Sequence, residues 1–109
     1  MKLLLNQSLV LTKLSIEKRP VLTNGKVTFE DNPSRTAYIV YDDTQAAPIG
    51  FGVKIGATKK TYIIQRRVNE KVIKTKVGNV SDFPSIDKAR EKARGLAEAI
   101  LNTSRNPNK

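Results

Sequence analysis

Three consecutive segments between residues 50 and 77 alternate between apolar and polar side chains, and this pattern constrains the fold more than any other feature of the chain. Alternation with a period of two is typical of β-strands that are buried on one face. The segments are short and follow one another closely, which favours an antiparallel meander over parallel strands. The sequence predicts strands at about 50–56, 60–68 and 71–77.

A helix is predicted directly after the meander. Ser85 is a suitable N-cap because its hydroxyl can accept an otherwise unpaired backbone N–H. From about residue 86 to 102, apolar residues recur at three- and four-residue spacing and form one stripe, consisting of Ile86, Ala89, Ala93, Leu96, Ala97 and Ile100. The sequence therefore predicts an α+β fold, in which a three-stranded antiparallel β-sheet packs against one C-terminal α-helix and follows an N-terminal extension.

The first half of the chain has a weaker pattern. Tyr38 to Tyr41 is a candidate for a short strand, whereas Leu3 to Leu14 is compatible with either a strand or a short helix. We expect residues 1–21 to form an extension of uncertain structure and residues 22–104 to form the domain. The polar residues 105–109 are expected to be a linker.

Composition excludes several kinds of chemistry. The chain has no Cys and no His, so it lacks thiolate metal ligands, disulfides and the commonest general base. Asp42 and Asp43 could hold Mg²⁺ in principle, but a solvated turn is the preferred interpretation. We therefore expect a binding domain without enzymatic activity, cofactor or metal.

Hydropathy gives no sign of a membrane protein. The apolar run Leu3–Leu5 ends long before the ~7–15 residues of a signal-peptide core, and no stretch approaches the ~20 apolar residues of a membrane span. A soluble intracellular protein is therefore expected.

Basic residues are concentrated in the meander. The formal net charge is +10, and residues 50–78 contain eight Lys and Arg against Glu70 alone. Such an imbalance favours a polyanionic partner, of which nucleic acid is the most common.

Strand alternation assigns most of these charges to one face. If Phe51, Val53 and Ile55 pack beneath the helix, the opposite face exposes Lys54, Gln65, Arg67, Lys74 and Lys76, together with Ile63 and Val72. A two-stranded ribbon fits the DNA major groove, which is about 12 Å wide. The predicted DNA-binding residues are Lys54, Lys59, Lys60, Ile63, Gln65, Arg67, Lys71, Lys74 and Lys76. The competing interpretation is a basic surface that serves only solubility and edge protection.

Within this set, the residue types suggest different roles. Arg67 has the geometry to read guanine and Gln65 to read adenine, while Ile63 and Val72 could contact thymine methyl groups. The lysines would neutralise phosphates, with Lys59 and Lys60 at one hairpin end and Lys71 at the other.

Four pieces of the sequence, taken in order, resemble the arm-type DNA-binding domain of phage and genomic-island tyrosine recombinases. They are Gly50-Phe-Gly-Val-Lys-Ile, Lys59-Lys-Thr-Tyr-Ile-Ile-Gln-Arg-Arg-Val-Asn, Lys74-Thr-Lys-Val-Gly and Ser85-Ile-Asp-Lys-Ala-Arg-Glu-Lys-Ala-Arg, and Tyr41-Asp42 matches a motif that precedes the first strand. The chain departs from the family in having Glu70 where Gly is common and Gln65 where Arg is common.

The resemblance implies a function in DNA integration and recombination by prophages and other mobile elements. In that family, three strands and a helix place the sheet in the major groove of arm-type sites. Strand cleavage belongs to a separate catalytic domain of the integrase, and other integrase protomers are partners through that larger protein. The resemblance thus implies a module that binds double-stranded DNA sequence-specifically, in the bacterial cytoplasm and in association with the nucleoid.

Two alternatives remain. A double-stranded RNA-binding domain also places a basic helix after a three-stranded sheet, although it binds through helix ends and a loop instead of the sheet face. A basic protein-interaction module would use the same exposed face to bind an acidic protein.

Overall fold

The computed structural model describes residues 2–104, with side chains described for residues 2–100. The predicted linker at 105–109 lies outside the described residues. The strands are β1 (Lys2–Leu3), β2 (Lys18–Thr23), β3 (Lys26–Asp31), β4 (Tyr38–Asp42), β5 (Phe51–Ile55), β6 (Lys60–Val68) and β7 (Lys71–Asn79). The helical segments are a π-helical turn (Leu9–Lys13), a 3₁₀ turn (Val80–Asp82) and the C-terminal helix α1 (Ile86–Ser104). Within this described part, no helix has the length and apolar character needed to cross a membrane.

The principal sheet has five strands in the order β1-β4-β5-β6-β7, and β2 and β3 form a separate two-stranded sheet. Strand β1 is parallel to β4, whereas the other neighbours are antiparallel. The prediction of a three-stranded sheet packed on one helix is therefore wrong. In a sheet of β5, β6 and β7 alone, the outer edge of β5 would have unpaired backbone N–H and C=O groups. Strand β4 pairs with this edge and so extends the sheet.

The meander and helix within this larger sheet follow the sequence pattern closely. Strands β5, β6 and β7 occupy the segments with alternating side chains, and α1 begins at Ile86 as expected from Ser85. The candidate strand at Tyr38–Tyr41 lies within β4. These elements were predictable because the apolar residues of each one recur with the period of its secondary structure and lie on its buried face.

Residues before β2 contribute to the common core instead of forming a separate extension. Leu5, Val10 and Leu14 are each at most 3 % exposed and belong to the same buried cluster as Phe51 and Ala93. The expected boundary between residues 21 and 22 also lies inside β2. The N-terminal segment is thus part of the hydrophobic core of the domain.

The β2–β3 hairpin was not predicted, although its turn has a recognisable signal. Asn24 and Gly25 both have positive φ, at 51° and 79°, as a type I′ turn requires. Asn-Gly is the preferred sequence for such a turn because both residues tolerate this backbone conformation. The hairpin is connected to the main sheet where the Tyr38 hydroxyl donates to the carbonyl oxygens of Ser15 and Lys18.

A buried ion pair joins the sheet, the N-terminal segment and the helix. Asp42 Oδ2 lies 2.8 Å from Arg90 Nη2, and the two side chains are 0 % and 9 % exposed. Asp42 Oδ1 accepts the backbone N–H groups of Leu5 and Thr44, while Arg90 Nη2 donates to Leu5 O. The interpretation of Asp42 as part of a solvated turn is therefore wrong, because its carboxylate is enclosed by these donors.

Candidate nucleic-acid interface

One face of the β5–β7 meander is turned away from the core. Gln65 lies opposite Lys74, Ile63 opposite Lys76, and Arg67 opposite Val72. Directly opposed residues share a sheet face, so β6 and β7 present these side chains together. Lys54 joins them because Gly52, two residues earlier on β5, lies opposite Ile63. We call this surface the open face; its residues are Lys54, Ile63, Gln65, Arg67, Val72, Lys74 and Lys76.

The opposite face of the meander is covered. Phe51, Val53 and Tyr62 are each at most 1 % exposed and pack in one cluster with Ala89 and Ala93 of α1. Strand alternation therefore places five of the predicted polar and charged side chains on a common surface, namely Lys54, Gln65, Arg67, Lys74 and Lys76.

The open face is strongly cationic. Lys54, Arg67, Lys74 and Lys76 are all exposed. Among the ion pairs found in residues 2–104, none involves any of these four side chains. Four positive charges on one surface without a neutralising carboxylate create a potential that attracts polyanions. Between them lie the half-buried Gln65 and the apolar Val72, which is 49 % exposed. Ile63 shares this face but is only 7 % exposed, so its side chain is not available for the predicted contact with a thymine methyl group.

The distal part of the β6–β7 hairpin projects beyond the rest of the sheet. Pairing with β5 ends at Ile64, and the last bond across this boundary runs from Gln65 N–H to Gly50 O. Residues 66–73 therefore have ladder partners only within the hairpin. Five strands spaced ~4.8 Å apart span roughly 19 Å, which exceeds the ~12 Å width of the major groove. The projecting two-stranded hairpin is the part of this sheet narrow enough to enter it.

The tip of this hairpin is a strained turn. Asn69 and Glu70 both have positive φ, at 50° and 68°. Glu70 is exposed and is the one acidic residue of the basic segment. Lys71 follows it and is exposed, but its register opposite Val68 places it on the side of β7 away from the open face. Lys71 can therefore contact a phosphate beside the tip, and it does not belong to the cluster around Gln65.

Lys59 and Lys60 have different positions, although they are adjacent in sequence. Lys59 is exposed in the turn between β5 and β6. Lys60 points towards the covered side, where its Nζ donates to the carbonyl oxygens of Val10 and Leu11 at 2.8 and 3.1 Å. Burial lowers the pKa of Lys60 from its ordinary value. Its ammonium group attaches the π-helical turn to the sheet and does not lie on the open face.

Arg66 also points to the covered side, as strand alternation requires. It is half-buried, and its Nη1 donates to Ile49 O at 3.3 Å. Because this carbonyl belongs to the loop before β5, Arg66 supports the base of the projecting hairpin.

Tyr41 is a residue of this surface that the sequence analysis treated only as part of a short motif. Its hydroxyl donates a hydrogen bond to Gln65 Oε1. Tyr41 also lines a cavity of about 450 Å³ together with Lys2, Asp43, Ile49 and Gln65. The alternation Tyr38-Ile39-Val40-Tyr41 contains the signal for its orientation, because a buried Val40 places Tyr41 on the other face.

No protein-family model, no curated protein and no solved structure matches this chain at a significant level.

Proposed function

We propose that this chain binds double-stranded DNA through the open face, with the projecting part of the β6–β7 hairpin in the major groove. The observation that carries the proposal is a set of four exposed cations that share one face and form no ion pair within the described part of the chain: Lys54, Arg67, Lys74 and Lys76. Lysines contribute phosphate neutralisation, and Arg67 and Gln65 have side chains suited to base edges.

The biological setting that we propose is site-specific recombination by a phage-type integrase. Support comes from the sequence resemblance, whose four pieces coincide with β5, β6, β7 and α1. In this role the chain positions the recombinase on arm-type sites, while another part of the recombinase cleaves the DNA. Other integrase protomers would bind neighbouring sites through the larger assembly.

The double-stranded RNA alternative receives less support from the fold. An amphipathic helix before the meander would favour this alternative, whereas within residues 2–104 the helical element there is a short π-helical turn, Leu9–Lys13. The protein-interaction alternative depends on the same cations and is separated from DNA binding by experiment alone.

The first test is a titration of the protein with a short DNA duplex, followed by backbone amide shifts, and then with an RNA duplex of equal length. We expect shifts centred on Gln65, Arg67, Lys74 and Lys76 that weaken as salt is added. Shifts that map to α1, a preference for the RNA duplex, or the absence of shifts with both duplexes would contradict the proposal.

A matched pair of double variants separates a specific surface from net charge. Lys74→Gln with Lys76→Gln removes two charges from the open face, and Lys88→Gln with Lys92→Gln removes two exposed charges from α1. Each phosphate contact contributes about 0.9 to the slope of log affinity against log salt. We therefore expect the slope to fall by about 1.8 in the first variant, and the helix variant should retain the slope of the unmodified chain. Equal losses in both would show that affinity follows total charge only.

A further inference from the structure

The contact between Tyr41 and Gln65 crosses an intervening strand. Tyr41 lies on β4 and Gln65 on β6, and β5 pairs with both. Side chains on alternate strands of a sheet are about 10 Å apart at their base, so only a long side chain can bridge them. Tyr41 does so, with its hydroxyl hydrogen-bonded to Gln65 Oε1.

Two glycines make this bridge sterically possible. A Cβ at Gly52, which pairs with Tyr41, would lie 3.0 Å from Tyr41 Cα and 3.1 Å from its ring carbon Cδ1. A Cβ at Gly50 would lie 1.9 Å from the carbonyl oxygen of Gln65. Gly52 thus leaves room for the tyrosine ring, and Gly50 allows the backbone of Gln65 to approach β5, while Phe51 between them points into the core.

The bridge determines which group of Gln65 faces a ligand. A carboxamide has one acceptor oxygen and one donor nitrogen, which diverge from the same carbon. Tyr41 occupies the oxygen from the side of β4, so the Nε2 donors are left for the open face. On β6 and β7, Lys74 opposite Gln65 and Arg67 two residues further along β6 carry donors only.

We propose that Tyr41 is a specificity-determining residue that holds Gln65 as a hydrogen-bond donor, so that this part of the open face selects guanine over adenine. Guanine presents two acceptors in the major groove, N7 and O6, whereas adenine presents one acceptor and the N6 amino donor. A free glutamine pairs with adenine through both its oxygen and its nitrogen. The hydrogen bond turns the oxygen towards Tyr41 on β4, so oxygen and nitrogen are not presented side by side to one base edge, and that bidentate pairing is lost. This inference rests on the proposed DNA-binding function and replaces the expectation that Gln65 reads adenine.

Tyr41→Phe tests the inference because it removes only the bridging hydroxyl. Tyr38→Phe is the matched control, since Tyr38 lies on the same strand but its hydroxyl bonds to Ser15 O and Lys18 O instead. Affinities are measured for duplexes that differ by single base-pair substitutions. In Tyr41→Phe we expect mixed-sequence affinity to stay within about twofold, and the preference for G·C over A·T at one position to fall by about tenfold. Tyr38→Phe should retain the preference of the unmodified chain.

Two further readouts make the outcomes decisive. The side-chain NH₂ resonances of Gln65 in the free protein should shift in Tyr41→Phe and not in Tyr38→Phe, since only the first releases the amide. Adding Tyr41→Phe to Gln65→Ala should cause no further change in base preference.

Three results would overturn the inference: an unmodified chain that prefers A·T, a Tyr41→Phe variant with the same base preference as the unmodified chain, or an equal change in both tyrosine variants. In each case, DNA binding through the open face would still stand. Failure of the unmodified chain to bind duplex DNA through the open face would instead refute the proposed function, and the inference with it.

Discussion

Replacing Asp42 with asparagine should destabilise the protein strongly, because the carboxylate is the centre of a buried network. Its Oδ2 accepts from Arg90 Nε and Nη2 at 2.9 and 2.8 Å. Its Oδ1 accepts the N–H groups of Leu5 and Thr44 at 3.3 and 3.0 Å. Asparagine has the same shape but only one acceptor oxygen. Whichever way the amide is oriented, its NH₂ group faces donors and leaves some of them unpaired.

The expected magnitude follows from the burial of both partners. Removing one member of a buried ion pair costs about 3–5 kcal/mol, since the other charge is left without compensation. Asp87 moderates the cost by pairing with Arg90 Nη1 at 3.0 Å, although this carboxylate is largely exposed. For a domain of this length the entropy of unfolding corresponds to roughly 4 °C per kcal/mol. We therefore expect Asp42→Asn to lower the melting temperature by about 12–20 °C.

Thermal and urea unfolding followed by far-ultraviolet circular dichroism would measure the effect, with Asp43→Asn as the control. Asp43 is the exposed neighbour of Asp42, and its replacement changes the formal charge equally; we expect an effect within about 0.5 kcal/mol. Combining Asp42→Asn with Arg90→Met should cost about 1–3 kcal/mol less than the sum of the single changes. A loss below about 1 kcal/mol for Asp42→Asn would refute the reasoning.

Three further predictions concern backbone strain and burial. Glu70 has φ of 68°, so Glu70→Gly should stabilise the fold by about 1 kcal/mol in urea unfolding, whereas an equal gain from Glu70→Ala would point to charge instead of strain. Gly50→Ala should lower the free energy of unfolding clearly more than Gly25→Ala in the same assay. Both glycines have positive φ, but only at Gly50 would the added Cβ meet another part of the backbone, 1.9 Å from Gln65 O; equal losses would contradict this. The buried Tyr62 hydroxyl has no hydrogen-bond partner within the described chain, and burial raises the Tyr62 pKa to about 12. Because the folded chain holds this proton more tightly than the unfolded chain, stability does not depend on it below pH ~10 and falls as the pH rises from 10 to 12. Tyr62→Phe should gain about 1 kcal/mol at pH 7 and lose less stability between pH 10 and 12, and an unchanged pH profile would contradict the assignment.

The meander and the helix could be predicted because their side-chain periodicity is local. In β5 the apolar Val53 and Ile55 lie on the covered face, which places Lys54 between them on the open face. In β7 the register places Lys74 and Lys76 on the open face as well, as the alternation predicts. Lys60 was instead predicted to bind phosphate from its position at a hairpin end, whereas it lies on the covered face and bonds to Val10 O and Leu11 O. Its partners are 50 and 49 residues away in sequence, and strand alternation contains no information about them.

The N-terminal half could not be predicted from periodicity because its elements are too short. Strand β1 has two residues, and the π-helical turn has five. Leu3, Leu5, Val10 and Leu14 do not share a strand or helix period, yet all four are buried. The Asn24-Gly25 turn was available as a signal for the β2–β3 hairpin. Arg90, adjacent to the apolar stripe of α1, gave no sign that its partner would be Asp42.

The hydrogen bond from Arg90 Nη2 to Leu5 O joins residues 85 positions apart, and it implies a particular order of folding. The β5–β7 meander is stabilised by contacts between near neighbours and can form early, whereas closure of the core requires both β1 and α1. Contacts of large sequence separation slow folding because a long loop must close before they form. On a ribosome, the hairpin that carries the open face would therefore emerge and pair before the chain can complete its core. Native packing would follow only after Arg90 has left the exit tunnel and reached the carbonyl group of Leu5.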